Sequence, residues 1–191
     1  ANETVYIDPY SLNNTEYCIS YYKEDFYATN TKVRYAECVL EKTINEYEQL
    51  SMIPGQSGDE LREYRIAIAA TVEYSEFHGG AIEDAIAAIN STLNRVNVIY
   101  EREFAIRPEL IANNDLIIYT IDTGDDYTNG TPGEMISENQ DNINGVIGSD
   151  NYDIGHVFGT NSGGLASLGV VCDNSQKARG VTGSSDPVGD P

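Results

Sequence analysis

Residues 63–100 read EYRIAIAATVEYSEFHGGAIEDAIAAINSTLNRVNVIY, and the hydrophobic period of this stretch changes in the middle. In its first part Tyr64, Ile66, Ile68, Ala70 and Val72 alternate with Ala67 and Ala69. Strand side chains point alternately to opposite faces, so both faces here are largely apolar. That is the pattern of a central strand covered on both sides. After His78-Gly79-Gly80 the spacing becomes helical. Ile82, Ile86, Ile89, Leu93, Val96 and Tyr100 follow in steps of four and three, one continuous stripe. Glu83 and Asp84 stand in the first turn, where the helix dipole favours acids. Strand then helix opens an α/β layer.

Downstream the pattern continues. FAIRPELIAN (104–113) and DLIIYT (115–120) read as extended, although Pro108 argues against a central ladder position for the first. The loop DTGDDYTNGTPG (122–133) precedes a second helix. Thr131 is its predicted cap, Pro132 suits its first position, and Glu134 would complete a capping box. Met135, Ile136, Ile143, Val146 and Ile147 supply its apolar face, and Gly148 its stop. GHVFGT (155–160), GLASLGVV (164–171) and ARGVT (178–182) then read as three short extended pieces. The order predicts an α/β fold: a mixed sheet with two helices.

Upstream, residues 1–50 are rich in Tyr, Asn and Glu. TVYIDPYS (4–11) and YCISYYKEDF (17–26) read as strands with turn residues Asn13-Asn14 between them. The acidic stretch EKTINEYEQLSMIPGQSGDE (41–60) holds Pro54, Gly55, Ser57 and Gly58, the composition of a linker. Residues 51–61 are therefore expected to be exposed and open to proteolysis, with a boundary near residue 60.

The chain of 191 residues is 40% hydrophobic, enough for a real core, and carries 31 acids against 11 bases. A net charge of −20 repels phosphate backbones, which argues against nucleic-acid binding. Such acidity suits a secreted or salt-adapted protein, or simple solubility. The longest apolar run, IAIAATV (66–72), is too short to span a bilayer, so no membrane partner is expected. The first residue is Ala1 and the last stretch is PVGDP, so both ends read as cut from a longer precursor.

The candidates for chemistry are few. His78 and His156 are the only histidines, and neither belongs to an H-x-x-x-H pair, so three imidazoles cannot meet on a zinc. His156 reads as a packed strand residue and His78 as a turn or cap residue. Cys18, Cys38 and Cys172 form no C-x-x-C. Cys18 and Cys38 are open to a disulfide or to two free thiols, and GVVCDNSQ around Cys172 supplies nothing to activate a nucleophile. No G-x-S-x-G occurs, and the glycines of GTNSGGLASLG (159–169) lack the spacing of a dinucleotide loop. Asp122, Asp125, Asp126 and Asn129 offer oxygens of the kind calcium takes, but without EF-hand spacing, and a solvated acidic loop is the simpler reading. What remains is backbone. Gly163-Gly164 permits close approach, and an extended run of small residues at a sheet edge can pair with a peptide laid beside it.

Four segments carry a resemblance: YRIAIAATVEYSEFHGG (64–80), NRVNVIYEREFAIRPELIANND (94–115), SDNYDIGHVFGTNSGGLASLGVVC (149–172) and KARGVTGSSDPVGDP (177–191). Through them residues 62–191 resemble the upper subdomain of reprolysin-like (adamalysin-type) metzincin zinc peptidases, especially secreted members from Bacteroidetes-type bacteria. The resemblance implies a mostly parallel twisted sheet whose antiparallel edge strand binds protein substrate in extended form. The matching positions are Gly164, Leu165, Ala166, Ser167 and Leu168. It implies further that ARGVT is the next strand inward, and that GSSDPVGDP (183–191) leads to an active-site helix.

The family's zinc motif, H-E-x-x-H-x-x-G-x-x-H, has no counterpart here, so zinc belongs to the intact enzyme and no catalytic or metal residue is assigned in this chain. By the same resemblance Cys172 would pair with a cysteine of the catalytic half outside this chain. Residues 1–50 resemble, more weakly, the tail of a pro-segment, in which Cys38, Cys18 or Asp25 is a candidate zinc-blocking group. The expectation is a secreted zinc endopeptidase precursor. The competing expectation is a non-catalytic peptide-binding or adhesion module that keeps only the upper sheet.

Overall fold

The computed structural model describes residues 5–9, 18–22, 38–40, 60–160 and 163–187, with side chains for 60–160 and 163–187. By its contacts the chain divides into Ala1–Ala36 with Pro191, and Glu37–Asp190. In the first unit, β1 (Val5–Pro9) and β2 (Cys18–Tyr22) pair antiparallel from Val5↔Tyr22 to Pro9↔Cys18, the two strands expected from the sequence. The Asn13-Asn14 turn and the linker 51–59 lie outside the described residues.

The second unit follows from β4 (Arg62–Ala70). Its alternation holds: Ala67 and Ala69 join one core cluster, while Ile68 and Ala70 join another on the opposite face. A six-stranded sheet forms around it from β3 (Cys38–Leu40), β5 (Ile106–Leu110), β6 (Ile154–Gly159), β7 (Gly164–Ala166) and β8 (Gly180–Gly183). The order is β3-β7-β8-β6-β4-β5, and only β7–β8 is antiparallel. Three helices cover it: α1 (Val72–Phe77), α2 (Ile82–Phe104) and α3 (Pro132–Val146).

Ile89 and Leu93 of α2 are buried against Ile68 and Ala70, and Met135, Ile136 and Ile143 of α3 against Ala67 and Ala69. Truncating any of these isoleucines to alanine is expected to cost about 2–5 kcal/mol. Pro108 sits where a missing N–H is tolerated, because among the described residues β5 is an outer strand paired with β4 alone.

Several local expectations are corrected. α1 was not foreseen. Val72 begins it instead of ending β4, because Thr71 Oγ1 accepts from Tyr74 N and Asp125 Oδ2 from Val72 N at 2.6 Å. DLIIYT is not a strand: Asn114–Ile117 forms a 3-10 turn, and only Ile118 bridges to Ala70. The Thr131 side chain makes no cap bond. Its carbonyl instead accepts from Glu134 N and Met135 N, so the capping box is not formed. GLASLGVV is extended only to Ala166, after which Ser167 pairs with Arg179 and the chain turns at Gly169, whose φ is +70°.

Candidate peptide-binding edge

The five sequence-predicted positions are placed as follows. Gly164, Leu165 and Ala166 form β7, Ser167 follows it immediately, and Leu168 lies in the loop beyond, 39% exposed. β7 is the outermost strand contributed by residues 62–183, and its outer side carries β3, with Cys38↔Gly164, Val39↔Leu165 and Leu40↔Ala166 in parallel register.

The neighbouring bonds decide which backbone groups face which way. Gly183 N donates to Gly163 O at 3.2 Å, and Ser167 N to Arg179 O at 3.0 Å. Antiparallel pairs alternate between bonded and non-bonded, so Leu165↔Val181, midway between these two, is the bonded pair in between. The N–H and C=O groups of Gly164 and Ala166 therefore turn to the opposite, outer side. The Leu165 side chain packs into the α3-side core with Val181.

On the other face stands a histidine that the sequence left as a packed strand residue. His156 Nε2 is 2.8 Å from Thr182 Oγ1, and the Phe158 ring lies edge-on to the imidazole at 5.5 Å. Burial pushes the His156 pKa down to about 4, so the ring is neutral at neutral pH. Gly180 makes the packing feasible, because a Cβ there would come within 2.5 Å of His156 Nδ1. His78 is the buried cap residue of α1. Burial lowers its pKa as well, against the opposing pull of a hydrogen bond to the Pro187 backbone and of Asp84.

Two rings separate the histidines: Tyr74 lies 4.5 Å from His78, and Phe158 lies 5.5 Å from Tyr74 and 5.5 Å from His156. They do not converge on one ion. Among the described residues no group of three His, Cys, Asp or Glu side chains is placed to hold a metal. Nor do the acids of the 122–129 loop form a calcium shell. Asp125 is engaged by Val72 N and Tyr127 N, and Asn129 by Thr160.

The side chains that hold Thr160 and Ser167 carry no sequence signal. Arg179 Nε donates to Ser167 Oγ at 3.1 Å and its Nη1 to Ser137 Oγ of α3 at 3.2 Å. Before the strand, Asn129 Nδ2 donates to Thr160 Oγ1 and Thr160 N to Asn129 Oδ1, each at 2.9 Å. These contacts join residues 12 to 42 positions apart, beyond any local motif.

A mixed, mostly parallel sheet with helices on both faces, in which a short antiparallel strand carries a three-residue extended segment on its outer side, defines an α/β protein. The sequence model of Metallo-peptidase family M12B Reprolysin-like matches residues 86–190, more than half of the chain, and the chain belongs to that metallopeptidase family. No curated protein matches the chain. M12B metallopeptidases are zinc-dependent, but the described residues do not fit the metal: no group of three His, Cys, Asp or Glu side chains is placed among them to hold it, and the two histidines stand apart. No chemical step is therefore assigned to a metal held by this chain.

Proposed function

We propose that this chain is the substrate-aligning part of a secreted bacterial zinc endopeptidase precursor, that β7 holds protein substrates in extended form, and that the zinc ligands lie outside these residues. The observation that carries the reading is the pairing of β3 on β7. The outer side of Gly164–Ala166 already accepts a three-residue extended segment through main-chain groups. A peptide using the same groups would take the place of Cys38–Leu40. That supports the further reading of residues 1–50 as the tail of a pro-segment that keeps the edge covered until it is removed. The net charge of −20 suits an exported protein.

The test is a pair of proline variants in the full-length enzyme freed of residues 1–50. Ala166→Pro removes an outward donor and leaves the β8 ladder intact, whereas Leu165→Pro removes an inward one. Ala166→Pro should lower kcat/KM by about tenfold to hundredfold, equivalent to about 1–3 kcal/mol, while keeping zinc content and Tm. Leu165→Pro should mainly lower Tm. Unchanged turnover in Ala166→Pro would refute β7 as the substrate edge.

A further inference from the structure

We infer that Asn129 and Arg179 are positioning residues for the peptide edge, acting from the α3 side of the sheet, Asn129 on Thr160 where the chain leaves β6 and Arg179 on Ser167 at the end of β7; this rests on the reading of β7 as the substrate strand. Three residues are too few to define a rigid strand by their own ladder, so the placement of Gly164–Ala166 is set by what holds its flanks.

Before the strand, the Asn129 side chain grips Thr160 twice, once through the Thr160 N–H and once through its hydroxyl. Asn129 is itself held by a braced loop. Asp125 accepts from Val72 N at the start of α1, and Thr128 N and Oγ1 both donate to Glu138 of α3. The contact is close enough to dictate its neighbour: a Cβ on Gly159 would lie 2.6 Å from Asn129 Oδ1. After the strand, Ser167 N donates to Arg179 O, and the Arg179 guanidinium spans from Ser167 to Ser137 on α3. The planar guanidinium presents its donors in a fixed fork, which ties strand and helix together in one geometry.

Both braces act on the α3 side, where Gly159, Leu165 and Val181 also point, whereas the backbone groups of Gly164 and Ala166 turn to the outer side of the strand. They therefore influence a bound peptide by holding the strand still. Strand addition needs N–H and C=O groups at a set spacing along one line, so loosening either brace weakens peptide alignment before it alters the fold.

The experiment compares Asn129→Ala, Asn129→Asp, Arg179→Gln and Ala166→Pro in the full-length enzyme freed of residues 1–50, reading KM and kcat separately for one peptide, with amide hydrogen exchange over residues 163–168. Asn129→Ala and Arg179→Gln should each raise KM by about tenfold with kcat nearly unchanged, and speed exchange at Ala166. Asn129→Asp should restore KM, because a carboxylate accepts from both the Thr160 N–H and its hydroxyl. If Ala166→Pro lowers turnover while Asn129→Ala and Arg179→Gln leave KM unchanged, the positioning role is refuted and the β7 reading stands. If none of the variants changes turnover, both fall.

Discussion

The side chain of Asn114 takes the place of a β-strand beside Ile68: its Oδ1 accepts from Ile68 N and its Nδ2 donates to Ile68 O, each at 2.8 Å, and Asn114 is only 2% exposed. On this side of β4 the backbone bonds run as far as Ile111 N to Ile66 O and resume where Tyr119 N meets Ala70 O. Without Asn114 a buried N–H and C=O in the middle of the sheet would be unpaired. Asn114→Ala should therefore lower stability by about 2–4 kcal/mol, more than an ordinary surface-loop change. Asn114→Asp keeps the acceptor, loses the donor and buries a charge, so it should be at least as severe. Urea unfolding of the three proteins checks this, and a loss under 0.5 kcal/mol for Asn114→Ala would contradict it.

Acid should destabilise the fold through the histidines. The folded-state pKa of His156 lies near 4 and that of His78 is also lowered, both below the ordinary 6.5 of an unfolded chain. The folded state thus favours the neutral rings, and this contribution is complete above pH 6.5 and lost as pH falls from 6.5 towards 4. For His156 it is on the order of 2–3 kcal/mol. Asp153, held below the usual carboxylate value by Arg65, adds a loss only at still lower pH. Melting at pH 8, 6 and 4.5 should show a falling Tm whose slope is shallower in His156→Gln. An identical slope would remove His156 as the cause.

Cys172 should react readily with thiol reagents in the native chain, since it is exposed and free. It also holds a φ of +64°, a conformation that costs an L-residue about 1–2 kcal/mol and glycine little. Cys172→Gly is expected to leave stability unchanged or raise it by up to about 1 kcal/mol, and Cys172→Val to lower it. Thermal melts of both variants decide this. The opposite order would show that the thiol itself is needed.

The 191 residues alone should bind no tight stoichiometric zinc, because His78 and His156 stand apart across Tyr74 and Phe158. Equilibrium dialysis measures this directly. One zinc per chain held with sub-micromolar affinity would overturn the separation of the two rings as the limiting feature.

Periodicity and chain connectivity determined much of this protein on their own. The alternation from Tyr64 to Ala70, the stripe from Ile82 to Leu93 and the apolar face of α3 each depend on side chains that repeat along one element, so they are readable locally. The family was readable for the same reason, as contiguous segments, and so was the absence of a third histidine. Only the tertiary structure decided that DLIIYT is not a strand, since Asn114 of a 3-10 turn satisfies Ile68 across 46 positions. It alone placed Cys38–Leu40 along Gly164–Ala166, and turned Ala166 outward and Leu165 inward. It alone brought Asn129 to Thr160 after β6 and Arg179 to Ser167 at the end of β7. Backbone pairing is indifferent to side-chain identity, and long-range polar contacts have no period. Neither leaves a pattern along the chain.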